Sequence, residues 1–103
     1  LAELDTMLRL PKSTPVKDRM SIILASYNAG IGHVLDARRL ARQDGANPNS
    51  WSDVSRYLSL MSDPAYYEQD VVQSGKFTGS GQTLQYVNHV MRKYDQYCNK
   101  ATL

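Results

Sequence analysis

The sequence predicts an all-α domain, and three observations carry the prediction. Apolar residues recur at three- and four-residue steps in successive segments, as one face of a helix requires. No stretch alternates apolar and polar residues over a useful length, so strands have no signal. Proline, glycine and Asn/Asp/Ser clusters cut the chain at intervals suited to short helices.

The 103 residues suffice for one small domain with a modest core. Hydrophobic residues make up 42% and charged residues 21%, which places the chain with folded globular proteins and not with disordered ones.

Taken in order, Leu1 to Leu10 reads as a first helix with Leu1, Leu4 and Leu8 on one face, ended by Pro11. A chain that begins inside such a helix is expected to be truncated. Ser13 and Thr14 offer a cap, and Pro15 suits the first helical position of a second run to about Asn28. In that run Val16, Met20, Ile23, Leu24 and Tyr27 form the expected inner stripe, widened by Ile22. Gly30 is placed to end it, because glycine adopts positive φ without penalty.

A third helix is expected from Ile31 or Gly32 to Gln43, with Val34, Leu35, Leu40 and Ala41 inward and Gly45 at its end. After the turn at 46–49, Ser50-Trp51-Ser52-Asp53 matches a capping box opening a short helix. Ser62-Asp63-Pro64 marks a turn and a further helix start. Three glycines between Gln73 and Gly81 define a loop, and Ser80 can cap a last helix striped by Leu84, Val87, Val90, Met91, Tyr94 and Cys98. The final residues are expected to fray. The sum is five or six short helices.

Charge narrows the function classes. The net charge is +2 with signs interspersed, as in Asp36, Arg38, Arg39, Arg42 and Asp44. No basic stripe appears, so no nucleic-acid partner is expected. One cysteine and two distant histidines give no metal-ligand spacing, and no metal or cofactor is expected. His33 and His89 read as helix-surface or helix-core residues, and Cys98 as a small half-buried group. Gly30-Ile31-Gly32 lacks the third glycine of a dinucleotide fingerprint and follows a helix instead of a strand.

Among the acids, Asp53 is explained by its cap, Asp63 by its turn and Asp18 by a first helical turn. None stands in an apolar setting that would hold a proton near neutral pH, so no general acid can be nominated.

The informative segment is Leu24-Ala25-Ser26-Tyr27-Asn28-Ala29-Gly30-Ile31-Gly32-His33-Val34. A phenol and a carboxamide end an apolar helix, and a second helix begins at once across two glycines. Such a bend is either a helix–helix corner with a glycine cap or the wall of a site where a ligand approaches closely.

This segment resembles the third motif of family 1 lytic transglycosylases, A-x-Y-N-x-G-x-G-x-V, and His33 to Ala41 resembles its continuation in a membrane-bound branch. Asn47-Pro48, Trp51 and Asp53-Val54 are similar to that branch's N-P-x-x-W-x-D-V stretch. Gly79, Gln82-Thr83 and Tyr86-Val87 resemble the family's G-x-E-T-x-x-Y-V element. The resemblance runs from about Leu1 to Tyr97. Gln82 stands where the family often has glutamate, Thr78 where the branch often has arginine, and Ser26 where alanine is usual.

The resemblance implies a lysozyme-like fold, with residues 1–103 forming the C-terminal part of one transglycosylase domain. It implies non-hydrolytic cleavage of the β-1,4 bond between N-acetylmuramic acid and N-acetylglucosamine, leaving 1,6-anhydromuramic ends. The E-S motif with the catalytic glutamate and the G-L-M-Q motif are then expected upstream of Leu1, so this chain alone is expected to be inactive.

Tyr27 is implied as the supporting catalytic group, and Tyr27, Asn28, Gly30, Gly32 and Tyr86 as substrate-binding residues. Trp51 is expected to anchor structure, and Tyr66, Tyr67 and Phe77 to serve surface or core before any sugar platform. Peptidoglycan strands are the implied partner, with a monomer in the bacterial periplasm or at the outer membrane, and membrane attachment only through an upstream anchor. Two other readings stay open: a non-catalytic glycan-binding module and a helical interaction domain.

Overall fold

The computed structural model describes residues 2–101, and every regular element among them is helical: α1 (Ala2–Leu8), α2 (Val16–Ala29), α3 (Ile31–Gln43), α4 (Trp51–Leu60), α5 (Pro64–Tyr67) and α6 (Ser80–Ala101). The predicted all-α class and helix number hold. Leu1 and the fraying expected of the last two residues lie outside the described residues.

The central element is α2, which packs against α1, α3, α4 and α6, while α3 and α4 pack on each other. Ile22 and Ala25 of α2, Val34, Ala37, Leu40 and Ala41 of α3, and Val54 and Leu58 of α4 have no exposed surface. Burial of this order stabilises by about 1.5–3 kcal/mol for each large aliphatic side chain.

The stripe expected on α2 is displaced. Ile22, Leu24 and Ala25 are buried, whereas Val16 and Tyr27 are exposed and Met20 and Ile23 half-buried. The helix is apolar on several sides, so spacing alone could not fix the inner one. Even its serines on that side are buried; the Ser26 hydroxyl donates to the Ile22 carbonyl at 2.8 Å, inside the helix itself.

The predicted caps are partly replaced by longer-range partners. Pro15 sits just ahead of α2 with φ −54° and ψ 144°, outside the helix, and no side chain caps α2. Thr14 Oγ1 is buried and caps nothing. At α4, Ser50 occupies the N-cap without a side-chain bond, so the capping box does not form. Asp18, on the first turn of α2, accepts the Trp51 N–H at 2.8 Å, and Asp53 accepts the Asn47 N–H at 2.9 Å. At α5 the predicted device is present: Asp63 accepts the Ala65 N–H at 3.0 Å with Pro64 behind it. Ser80 is the first residue of α6, not its cap.

Two arginines bind the N-terminal elements. Arg19 donates to Asp5 at 2.8 Å and to the Pro11 carbonyl at 2.7 Å, holding the α1–α2 link. Arg38, buried on α3, donates to the carbonyls of Leu8 (2.7 Å) and Pro48 (2.8 Å) and to Asn49 Oδ1 (2.9 Å). Its burial, with Arg42 nearby, lowers its pKa from the usual guanidinium value. It thus joins the end of α1 to the turn before α4, an arrangement suited to a planar fork of donors.

Candidate functional site

The helix α2 ends where its register requires a turn, and the chain reverses through one residue. Gly30, at φ 97° and ψ 135°, donates its N–H back to Ser26 O at 3.1 Å and precedes α3 directly. A side chain is strained at such a φ, so glycine is needed for conformation; a Cβ there would meet nothing within 4 Å. At Gly32 the constraint is close approach instead of conformation. Its absent Cβ would run into the Ser74 hydroxyl, so the 68–79 loop lies directly on the first turn of α3.

This bend sets Tyr27 and Asn28 at the exposed end of α2. Tyr27 is 65% exposed, and its hydroxyl makes no hydrogen bond among the described residues. The half-buried Tyr86 of α6 stands beside it, ring centroids 6.4 Å apart and planes tilted by 30°, within the range of favourable aromatic pairs. Asn28 Oδ1 accepts from the Thr83 hydroxyl at 2.8 Å, and Thr83 is itself buried. The fold therefore brings four of the five predicted site residues, Tyr27, Asn28, Gly30 and Tyr86, to one bend, while Gly32 serves the loop contact behind it.

Sequence reasoning missed the residue that holds the loop. Asp36 of α3 is wholly buried; its Oδ1 accepts from Gln73 N at 2.9 Å and Arg39 at 2.6 Å, and its Oδ2 accepts from Ser74 N at 2.8 Å. Two backbone N–H groups and a guanidinium satisfy the carboxylate, which explains how the charge is tolerated there. Nearby, Phe77 is buried against the His33 ring, centroids 4.7 Å apart, so it is a core residue and no sugar platform. The signal for Asp36 was a charged residue amid inward positions of α3; its partners 37 and 38 residues away were not readable. Thr83 fell inside a matched motif, but nothing in the sequence marked its partner.

The acids are committed elsewhere. Asp5, Asp18, Asp36, Asp44, Asp53, Asp63 and Asp95 each hold a structural partner, and Glu3, Glu68 and Asp70 are exposed. Among the described residues no carboxylate hydrogen-bonds to Tyr27 or Asn28. None of the described His, Cys, Asp and Glu side chains cluster in threes to hold a metal ion. The bend can donate and accept hydrogen bonds and stack against a ring; it carries no acid.

The scaffold is all-helical, and it presents an exposed phenol beside a second tyrosine and a carboxamide anchored by a buried threonine at a glycine bend. No protein-family model matches the chain. Curated relatives do: the chain is 44% identical over 91 residues to membrane-bound lytic murein transglycosylase F of Shewanella loihica, covering 88% of this chain and 18% of that protein. It is 42% identical over 90 residues to the protein of the same name from Alcanivorax borkumensis, covering 87% and 19%. With that of Actinobacillus pleuropneumoniae it shares 39% over 93 residues, covering 90% and 19%. Over most of its length the chain is thus homologous to proteins named membrane-bound lytic murein transglycosylase F, and it spans less than a fifth of the length of these relatives. Among the described residues no helix is long and apolar enough to cross a membrane.

Proposed function

We propose that residues 1–103 are the C-terminal, substrate-holding part of a peptidoglycan lytic transglycosylase domain. The complete protein cleaves the β-1,4 bond between N-acetylmuramic acid and N-acetylglucosamine and leaves 1,6-anhydromuramic ends. Its catalytic glutamate lies upstream of Leu1, so this chain alone is inactive. The observation that carries the reading is the exposed Tyr27–Asn28 bend, with Tyr86 beside it, in a chain whose named relatives are murein transglycosylases.

In this reading the Tyr27 hydroxyl donates to the glutamate or to the sugar ring. Asn28 has its Oδ1 occupied by Thr83, which leaves its N–H groups to meet a sugar N-acetyl carbonyl. A single acid needs a raised pKa, and an apolar surrounding provides it. Met20, Ile23 and Leu24 of α2 and Val90 of α6 line a small apolar hollow of about 190 Å³ on the Tyr27 side of α2, a surface suited to an apolar helix bearing that acid. The protein works as a monomer in the periplasm or at the outer membrane, with any membrane anchor outside residues 1–103.

Digestion of purified sacculi by the natural-length protein tests this. Anhydro-muropeptides are expected by mass spectrometry; hydrolysed reducing ends would contradict the chemistry. The lack of an uncommitted carboxylate at the bend favours one second reading, a non-catalytic glycan-binding module. Glycan affinity without any cleavage by the natural-length protein would establish that instead.

A further inference from the structure

On the other side of α6 lies a groove of about 600 Å³, inside the range of roughly 300–1,000 Å³ usual for small-ligand sites. Leu84, Asn88, Met91 and Asp95 line it from one face of α6, at the i, i+4, i+7 and i+11 positions. Tyr86 is two residues from Leu84 and therefore about 200° around the helix, so the groove is not part of the Tyr27–Tyr86 surface.

Its chemistry is mixed in a particular way. Met91 and Val87, both buried, form an apolar floor with Leu84, and Trp51 closes one side. Lys17 and Asp95, both in its lining, are joined as an ion pair at 2.8 Å that is largely exposed. Asp18 is held in place by its bond to Trp51 N through Oδ1, which leaves Oδ2 open. The carboxamides of Gln85 and Asn88 make no hydrogen bond among the described residues, and both residues are exposed.

We propose that this groove binds a short peptide carrying both a carboxylate and an ammonium, of the kind that branches from murein glycan strands. The assignment rests on the peptidoglycan reading above. The ligand carboxylate joins Lys17 and its ammonium joins Asp95 and Asp18, turning one exposed ion pair into a network of alternating charge. Gln85 and Asn88 each offer a donor and an acceptor to the peptide backbone, and the apolar floor takes an alanine-sized side chain. An uncharged saccharide would use the amides but bring no charge to Lys17, Asp95 or Asp18, which would keep only the partners they already have.

Calorimetric titration of the natural-length protein with glycan-free L-Ala-γ-D-Glu-meso-diaminopimelate tests the proposal. Saturable binding is expected, weakened about two- to fivefold by Lys17→Glu, the scale of one exposed charged contact, and also weakened by Asn88→Ala. Tyr27→Phe should leave it unchanged. Both groove side chains are exposed, so folding survives their replacement, which circular dichroism verifies. No saturable binding, as when another part of the protein covers the groove, would overturn the assignment. So would binding indifferent to Lys17→Glu, or competition by a peptide-free disaccharide with the same Lys17 dependence. Sacculus digestion separates the two readings: anhydro ends without peptide binding remove only the groove assignment, and peptide binding without cleavage removes only the transglycosylase reading.

Discussion

The Thr83 hydroxyl donates to Asn28 Oδ1 at 2.8 Å, joining the last turn of α2 to the first turn of α6 across 55 residues of chain. Thr83 is 1% exposed while Asn28 is exposed, so the bond fixes a surface carboxamide from a buried support. Thr83→Val keeps the shape and removes the donor. Its expected cost is about 0.5–1.5 kcal/mol, read from urea unfolding. If Asn28 holds substrate as proposed, turnover of the natural-length protein on sacculi should fall about tenfold as the carboxamide loses its orientation. Thr83→Ser should restore most of the activity.

Asp36 makes a larger demand on stability. Replacing it by alanine leaves the N–H groups of Gln73 and Ser74 without their acceptor and Arg39 without its charge partner. A loss of about 3–5 kcal/mol is expected, since one side of a buried charged network is removed. Asp36→Asn, which keeps an acceptor oxygen, should lie between alanine and wild type. Hydrogen exchange in the natural-length protein should show the 73–74 amides losing protection first, before those of α2.

These two contacts mark the boundary of what the sequence made legible. Helix positions followed from apolar spacing and from Pro11, Gly30, Gly45 and Pro64, because helix ends are written in local chemistry. The Tyr27–Asn28 bend followed from its motif, and Tyr86 from another. Asp18 shows where local reading stops: its charge suits a first turn, yet it also accepts the N–H of Trp51, 33 residues on. The capping box expected of Ser50 and Asp53 gives way to Asn47, whose N–H donates to Asp53 and whose carbonyl accepts from Ser50 N. On α2 the apolar residues surround most of the helix, so the inward side was set by α3 and α6 and not by spacing.

The two glycines of the bend should respond differently to alanine. Gly30→Ala forces a side chain onto φ 97°, and a loss of about 1–3 kcal/mol is expected. Gly32→Ala brings a methyl group against Ser74 Oγ, the end of a side chain that can rotate away. Helix propensity favours alanine there by about 1 kcal/mol, so the net change should stay within ~1 kcal/mol of zero. In a Ser74→Ala background Gly32→Ala should become stabilising. Equal losses at the two positions in thermal unfolding would contradict the distinction.

Tyr57 predicts an alkaline limb. Burial of its ring, and then its bond to Asp44 at 2.9 Å, raise its pKa above the ordinary tyrosine value. The folded state thus favours the neutral phenol. That contribution is complete below the unfolded value of about 10 and is lost as pH rises through the folded value. Tyr57→Phe should cost about 1 kcal/mol at neutral pH, because the hydrogen bond goes. It should also flatten the decline in stability measured by urea unfolding above about pH 10.

Tyr27 separates function from stability most cleanly. Its ring is 65% exposed and its hydroxyl has no partner among the described residues, so Tyr27→Phe removes nothing the fold uses. The unfolding free energy should stay within about 0.5 kcal/mol of wild type. If the hydroxyl meets the glutamate or the sugar in the transition state, turnover on sacculi should fall by about 10²–10³, as loss of one preorganised donor does elsewhere. Tyr86→Leu should act differently, since it removes the ring face beside Tyr27 along with its hydroxyl. Its effect is expected mainly in KM, with kcat largely kept. Wild-type turnover in Tyr27→Phe would take the phenol out of the chemistry and leave it a surface ring beside Tyr86.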